Sequence, residues 1–317
     1  MTHSMNLPWV ESPFFYQLLK TKKLSTEQEK LATDYYENGY VVIENAFTPE
    51  QIDAVIDEVK NKGFNAEFPM DTHRDNRRVQ DLWQYSEPVR EMACDANILE
   101  KLEFLYEKKV VPFQTLNFLV GSEQKAHSDT LHFSSLPARY MCGVWVALED
   151  ITEDNGPLYY YPKSHRTPEF NFSDFKNTTE DTSYDNYSEY EDFMEAYMEA
   201  SPFEKKKFFA KKGDALIWSS NIIHGGSPVN DPNSTRLSQV THYYFEDCIY
   251  YTPMLSNMVT HELFIRRFIK NIKTGETPKQ TFNGQKAEFL RTRGNLYVIN
   301  NHIKLPKALR YLASKLK

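Results

Sequence analysis

Residues 213–226 read Gly213-Asp214-Ala215-Leu216-Ile217-Trp218-Ser219-Ser220-Asn221-Ile222-Ile223-His224-Gly225-Gly226. A short apolar run, bounded in front by Lys212-Gly213-Asp214 and behind by two glycines, predicts a strand over 215–218 with a histidine just beyond it. Runs of the same kind recur at 113–120, 141–148, 158–161 and 240–245, and Asn155-Gly156-Pro157 is a further turn former between them. Many short strands with long connections predict an all-β core, a barrel or a sandwich, and argue against a βαβ repeat. No glycine-rich phosphate loop accompanies them.

Helical signals flank this core. Ser25 with Gln28 has the spacing of a capping box, Leu31 and Tyr35 share a face, and Gly39 stops the helix before a strand over 40–43. Thr48 as cap, Pro49 at the first helical position and Gln51 at the third mark a second start, followed by Ile52, Val55, Ile56 and Val59. Residues 60–90 are polar and poorly patterned and are expected to be loops. Residues 169–199 are rich in Asp, Glu, Tyr and Phe and nearly free of Lys. We expect a lid insert at about 169–205, with Phe193, Ala196 and Tyr197 on a short helix; a solvated surface excursion is the alternative. C-terminal helices are expected from about 255, one carrying Leu263, Phe264, Phe268 and Ile269, and one running from Pro306 through Leu309, Leu312 and Leu316. The end helices would pack on the strand core, making 1–317 a single domain.

Composition narrows the function. A formal charge of −7 disfavours nucleic acid, whose phosphates need clustered cations. The basic runs Lys205-Lys206-Lys207 and Lys211-Lys212 are short, although they offer a place for an anionic group. Cys94, Cys142 and Cys248 are too scattered for a thiolate metal site or a disulfide framework. There is no signal-peptide pattern and no apolar run of membrane-spanning length, so a cytoplasmic protein with no membrane partner is expected.

His127-Ser128-Asp129 is the main chemical clue. On an extended backbone, residues i and i+2 project to one side, so an imidazole and a carboxylate can meet one ion. A second histidine would complete a two-histidine, one-carboxylate face with open positions for other ligands. His224 is the best candidate, and Gly225-Gly226 permit close backbone approach beside it. His132 competes for the place, and a zinc site using it stays open. Taken alone, a His-x-Asp pair is more often a surface hydrogen bond than a metal site.

The flanking residues resemble the phytanoyl-CoA dioxygenase family of Fe(II)/2-oxoglutarate-dependent oxygenases. The resemblance runs from about Asp34 to about Asp247, in three ordered blocks. The first is Gly39-Tyr40-Val41-Val42-Ile43-Glu44-Asn45-Ala46-Phe47. The second joins His127-Ser128-Asp129 to Trp145-Val146-Ala147-Leu148-Glu149-Asp150, Glu153-Asp154-Asn155-Gly156-Pro157-Leu158 and Pro162-Lys163-Ser164-His165-Arg166. The third joins Gly213-Asp214 to His224-Gly225-Gly226-Ser227, Asn230 and Arg236-Leu237-Ser238.

The resemblance implies a double-stranded β-helix, a cupin-like jelly roll with helices outside, and iron ligands His127, Asp129 and His224. It further implies that Arg236 grips the distal carboxylate of 2-oxoglutarate and that Trp145 lines the co-substrate pocket. Ser238, two residues on along one strand face, is placed to donate a further hydrogen bond. Asn155 is expected to shape a turn and Asn230 to tie down the loop after His224. His165 and Arg166 face either a polar substrate or plain loop packing. The implied reaction is hydroxylation of an unactivated C–H bond of a small molecule by O₂, with succinate and CO₂ released; retention of Asp129 speaks against halogenation. The insert and Tyr159, Tyr160, Tyr161, Tyr184 and Tyr187 depart from the family pattern and put a fatty acyl-CoA substrate in doubt. Two other readings stay open: a zinc or manganese enzyme of another reaction type, and a non-catalytic metal-binding or scaffold protein. A homodimer through the end helices is likewise open.

Overall fold

The computed structural model of the chain describes residues 5–64, 71–73, 78–175 and 183–299. Two helices come first, α1 (Phe15–Leu19) and α2 (Thr26–Asn38). Ser25 Oγ accepts from the Gln28 amide and the Gln28 side chain accepts from the Ser25 amide, so the expected capping box opens α2. Gly39, at φ 81°, ends it, and the chain enters β1 (Tyr40–Ile43). The second box, on Thr48 and Gln51, opens α3 (Pro49–Glu58), which buries Ile52 and Val55. Next come β2 (Asp71–His73), β3 (Arg78–Gln80), α4 (Glu87–Ala93) and α5 (Ala96–Tyr106). The core follows with β4 (Val110–Phe118), β5 (Ser134–Leu136), β6 (Met141–Ala147) and β7 (Leu158–Tyr160). After α6 (Phe172–Phe175) and α7 (Tyr187–Ala200) come β8 (Lys206–Phe208), β9 (Ala215–Ser219), β10 (His224–Gly226), β11 (Ser238–Phe245) and β12 (Ile249–Tyr251). Five short strands close the described chain: β13 (Leu263–Phe264), β14 (Thr281–Phe282), β15 (Gln285–Lys286), β16 (Phe289–Arg291) and β17 (Leu296–Ile299).

Two sheets position the site. The larger runs β1-β9-β6-β11-β4-β3-β2, the smaller β10-β7-β8, and neighbouring strands in both are antiparallel. Every residue of β4, β6, β9 and β11 is buried, because both faces of the large sheet are covered. Side chains alternate along a strand, so each strand serves two cores. On one face Val144, Val146, Ile217 and Tyr243 pack with helical residues such as Tyr35, Ile52, Val89 and Leu102. On the other, Leu116, Trp145, Trp218 and Val240 meet Leu158, Tyr160 and Phe208 of the small sheet. Each such side chain contributes about 1.5–3 kcal/mol by leaving water.

Two expectations fail. The described residues of 60–90 are not all loops: they include β3, a 3₁₀ turn at Leu82–Gln84 and the start of α4, whose cap Ser86 accepts from the Val89 amide. Each short element anchors itself through one or two apolar residues, Val79, Leu82 and Val89, all fully buried, which is too few to show a period. The helix expected around Leu263 is also absent. Leu263 and Phe264 pair instead with Tyr297 and Leu296 in the sheet β13-β17-β16, and Phe268 is 89% exposed. Long-range ladder bonds, with Leu263 packed beside Ile249 and Tyr251, outweigh the local apolar spacing there. The terminal helix at 306–316 lies outside the described residues.

The insert does contain the expected helix, longer than foreseen. Tyr187, Tyr190, Met194 and Met198 of α7 are buried, at helical spacing, against Tyr159, Tyr161 and Ile223. Glu169 anchors the start of the insert to Arg139 at 2.5 Å.

Candidate metal centre

His127 and His224 are brought together by the backbone. They form an antiparallel bridge in which the His127 amide donates to the His224 carbonyl (2.9 Å) and the His224 amide to the His127 carbonyl (3.0 Å). Their rings lie 4.4 Å apart. Ser128 is extended, at φ −112° and ψ 139°, so Asp129 projects to the same side as His127 before a 3₁₀ turn over Asp129–Leu131 begins. The Ser128 amide donates to the Tyr190 hydroxyl at 3.1 Å, so α7 holds the turn between the two residues. The Ser128 hydroxyl is bonded to Asn221 and the Ser220 carbonyl beneath it. Gly225 has no room for a side chain: a Cβ there would sit 2.4 Å from the Tyr159 hydroxyl and 2.6 Å from the Gln124 carbonyl oxygen.

One ligand atom from each of His127, Asp129 and His224 lies within 4.8 Å of the others, and all three residues are buried. Among the described residues no other histidine, cysteine or acid joins this group, so His132 is not part of it. Asp129 Oδ1 lies 3.9 Å from both imidazole Nε2 atoms. His127 Nδ1 meets the Lys125 carbonyl at 2.9 Å, and His224 Nδ1 meets the Ile222 carbonyl at 3.1 Å. A carbonyl only accepts, so both Nδ1 atoms donate and both Nε2 atoms face the carboxylate. Burial, and then the neighbouring His224, pushes the His127 pKa far down and keeps that ring neutral. Burial alone would raise Asp129; His224, His242, His127 and a bond from Trp218 outweigh it and hold the carboxyl below its ordinary value. Two imidazoles and one carboxylate, with the remaining directions open into a cavity, suit a divalent first-row metal.

The cavity measures about 630 Å³ and is lined by all three residues. At one end lies Arg236, 3% exposed, with Phe118 and Trp145 rings 5.1 and 5.8 Å from its guanidinium. Its Nη1 donates to Ser238 Oγ at 3.0 Å, while its Nε is buried without a partner. Trp145 Nε1 is buried and unpartnered too. Burial lowers the Arg236 pKa to about 10, against a smaller opposing effect of Glu149. Glu149 is itself occupied by Thr235 and Leu237. Unmet buried donors are costly, on the order of 1–3 kcal/mol each, so this end of the cavity is built for an acceptor that supplies negative charge. Ser238 supports Arg236 from behind and does not itself line the cavity.

The structure adds residues that the sequence reading missed. Trp218 Nε1 donates to Asp129 Oδ2 at 2.8 Å. His242 Nε2 lies 3.8 Å from the same oxygen, and its Nδ1 is bonded to Gln114 Oε1 at 3.0 Å. Both follow from period two: Arg236, Val240 and His242 lie on one face of the β11 line, and Leu216 and Trp218 on one face of β9. His132 lines the cavity between Tyr184 and Tyr187, with ring centroids 6.0 and 4.9 Å away.

Other candidates fall outside the site. His165 Nε2 bonds the Tyr36 carbonyl and Arg166 stacks on Tyr36, so both are loop packing. Asn155 closes the 150–155 turn and Asn230 bonds the Glu153 carbonyl, as expected. The lysine cluster does not line the cavity: Lys205 stacks on Tyr159, and Lys207, Lys211 and Lys212 pair with Glu153, Asp150 and Asp53. The three cysteines are free, and no described helix is long and apolar enough to cross a membrane.

Comparison with known proteins agrees with this geometry. Structurally the chain is similar to the non-heme alpha ketoglutarate dependent epimerase SnoN from nogalamycin biosynthesis, with a TM-score of 0.56 at 17% identity over 86% of this chain and 98% of that one. It is also similar to EctD from S. alaskensis with 2-oxoglutarate and 5-hydroxyectoine, with a TM-score of 0.51 at 19% identity over 70% of this chain and 76% of that one. These likenesses establish a cupin-like fold. In sequence it is 27% identical over 182 residues to phytanoyl-CoA dioxygenase domain-containing protein 1 of Danio rerio, a match spanning 53% of this chain and 55% of that protein. A homolog of that protein from Dictyostelium discoideum is 24% identical over 261 residues, 67% of this chain and 88% of the relative. The chain thus spans little more than half the length of the Danio rerio relative. The family model for phytanoyl-CoA dioxygenase matches residues 35–236, and the chain belongs to that family.

Proposed function

We propose that the chain is an Fe(II)- and 2-oxoglutarate-dependent oxygenase that hydroxylates an unactivated C–H bond of a small molecule. The observation that carries this is the buried Arg236, its Nε unpartnered, in the same cavity as a buried two-histidine, one-carboxylate group. A lone metal site would not need that arginine, and a scaffold would have little reason to keep a guanidinium buried with its Nε unbonded.

In this reading the Nε2 atoms of His127 and His224 and the Oδ1 atom of Asp129 hold the iron. Iron bound there would let O₂ act as the oxidant, one oxygen atom entering the product and the other the succinate that 2-oxoglutarate, the two-electron donor, leaves with CO₂. Trp218 fixes Asp129 by occupying Oδ2. Arg236 receives the distal carboxylate, with Trp145 Nε1 as a second donor beside it. We read the two facing sheets as a double-stranded β-helix. The insert at 169–205 serves as the cover of the cavity, since Tyr184 and Tyr187 line it from that side.

The test is an anaerobic titration of apoprotein with Fe(II) and then 2-oxoglutarate, followed by the weak visible charge-transfer absorption of the chelate. We expect the band in the wild type, no band in Arg236→Ala, and no iron binding in His224→Ala. Iron binding without a band in the wild type would remove 2-oxoglutarate from the proposal. Activity retained on zinc would point to another reaction type, and absence of metal binding would leave a non-catalytic protein.

A further inference from the structure

The cavity has a second cationic end, supplied by a segment beyond the family match. Arg266 follows β13 and lines the cavity together with His132, Phe133 and His242. Its position is fixed from both sides: its amide donates to the Tyr250 carbonyl at 2.9 Å and its carbonyl accepts from Gln280 Nε2 at 3.0 Å. The guanidinium lies 4.7 Å from the Phe133 ring and 5.5 Å from that of Phe113. Nη1 donates to Thr252 Oγ1 at 3.1 Å, and Nε is buried with no partner. No described carboxylate forms an ion pair with it. Asp81 is close enough to feel its charge, but the Asp81 oxygens are taken by the Thr115 amide, Trp83 Nε1 and Gln80.

This end is distinct from the Arg236 end. Arg236 packs on Phe118, at one end of β4, and Arg266 packs on Phe113, five residues back along it. At roughly 3.4 Å per residue that separates the two contacts by about 17 Å. Charge balance then assigns the ends different tasks. Asp129 and the two carboxylates of 2-oxoglutarate neutralise a divalent metal and Arg236. Nothing in that set neutralises Arg266.

We propose that the substrate is an organic acid and that Arg266 holds its anionic group, a carboxylate or a phosphate, with the metal group between the two arginines. Phe133, Tyr187 and His132 give the adjoining wall an aromatic surface, so the acid carries an apolar or ring-shaped body. The anion site expected at the surface lysines belongs here instead, where a half-buried guanidinium is oriented by Thr252 and two aromatic rings. The proposal rests on the oxygenase reading only for the statement that 2-oxoglutarate fills the Arg236 end.

The test is calorimetry on the anaerobic Fe(II) protein saturated with 2-oxoglutarate, using benzoate, phenyl phosphate and benzamide as probes. We expect at least one of the two anions to bind at least tenfold more tightly than benzamide, and which one binds better separates carboxylate from phosphate. Arg266→Gln, which removes the charge and keeps a polar side chain, should weaken that anion tenfold or more and leave the 2-oxoglutarate affinity unchanged. Anions that bind no better than benzamide, or that bind Arg266→Gln unchanged, overturn the proposal. If Arg266→Gln fails to fold, the acid-against-amide comparison on the wild type decides alone. If 2-oxoglutarate does not bind the wild type while the anion binds through Arg266, the co-substrate reading fails and the acid site stands.

Discussion

Trp218 Nε1 donates to Asp129 Oδ2 at 2.8 Å, and this bond leaves Oδ1 as the carboxylate oxygen equidistant from His127 and His224. The indole therefore orients the only carboxylate of the proposed metal group. Trp218→Phe keeps the ring and removes the donor. We expect Fe(II) affinity to fall about 10–100-fold, the usual effect of losing such a partner, with the fold retained. Metal titration with circular dichroism checks both.

Tyr190 acts one step further out. Its hydroxyl accepts from the Ser128 amide between two of the three metal-facing residues. Tyr190→Phe leaves that buried amide unmet, costing about 1–3 kcal/mol of stability. Because the lost bond lies in the turn that aims His127 and Asp129, metal affinity should fall as well. A Tyr190→Phe protein that is less stable but binds metal normally would limit α7 to a packing role.

Arg236→Met should separate stability from function. It removes a buried, incompletely bonded cation, so the apoprotein should be as stable as wild type or up to about 1 kcal/mol more stable. The added stability conferred by 2-oxoglutarate on the iron form should disappear. Thermal melting of both proteins, with and without 2-oxoglutarate, reads out the two effects together.

Acid should destabilise the metal-free protein well before its carboxylates protonate. Burial lowers His132 and His165 to about 4 from an ordinary 6.5. Between those values the unfolded chain binds protons that the folded chain does not, so stability falls as pH drops from 6.5 towards 4. Each histidine contributes at most on the order of 3 kcal/mol. Urea unfolding at pH 7, 5.5 and 4.5 measures the slope, and His165→Gln should flatten it.

Much of the fold was legible in local sequence because the relevant interactions are local. The Ser25–Gln28 and Thr48–Gln51 boxes each close within four residues, and both helices start where the boxes put them. The strands of the core are short apolar runs between turn formers, which needs no knowledge of their partners. β13 was misread as helix because its apolar residues are paired with Leu296 and Tyr297, and spacing within the segment carries no trace of that ladder. The insert helix was found, but Tyr190 could not be singled out among so many tyrosines, since its role lies in a bond to a residue far earlier in the chain.

The sequence by itself determined the kind of chemistry available: a His-x-Asp pair, a histidine before two glycines and an arginine beyond, in an order that marks the family. It made His127 and His224 the best pair but left His132 as a competitor, because spacing along the chain does not say which distant histidine meets the His-x-Asp pair. The tertiary structure made that choice through one backbone bridge, His127 to His224, which sets two Nε2 atoms against Asp129 and turns His132 and His242 to the walls. It also decided which cations line the cavity. Arg266 is an ordinary arginine in a line of text, and comes to line the cavity only because strand pairing after β11 folds its segment back onto it, with no described carboxylate in an ion pair with its guanidinium.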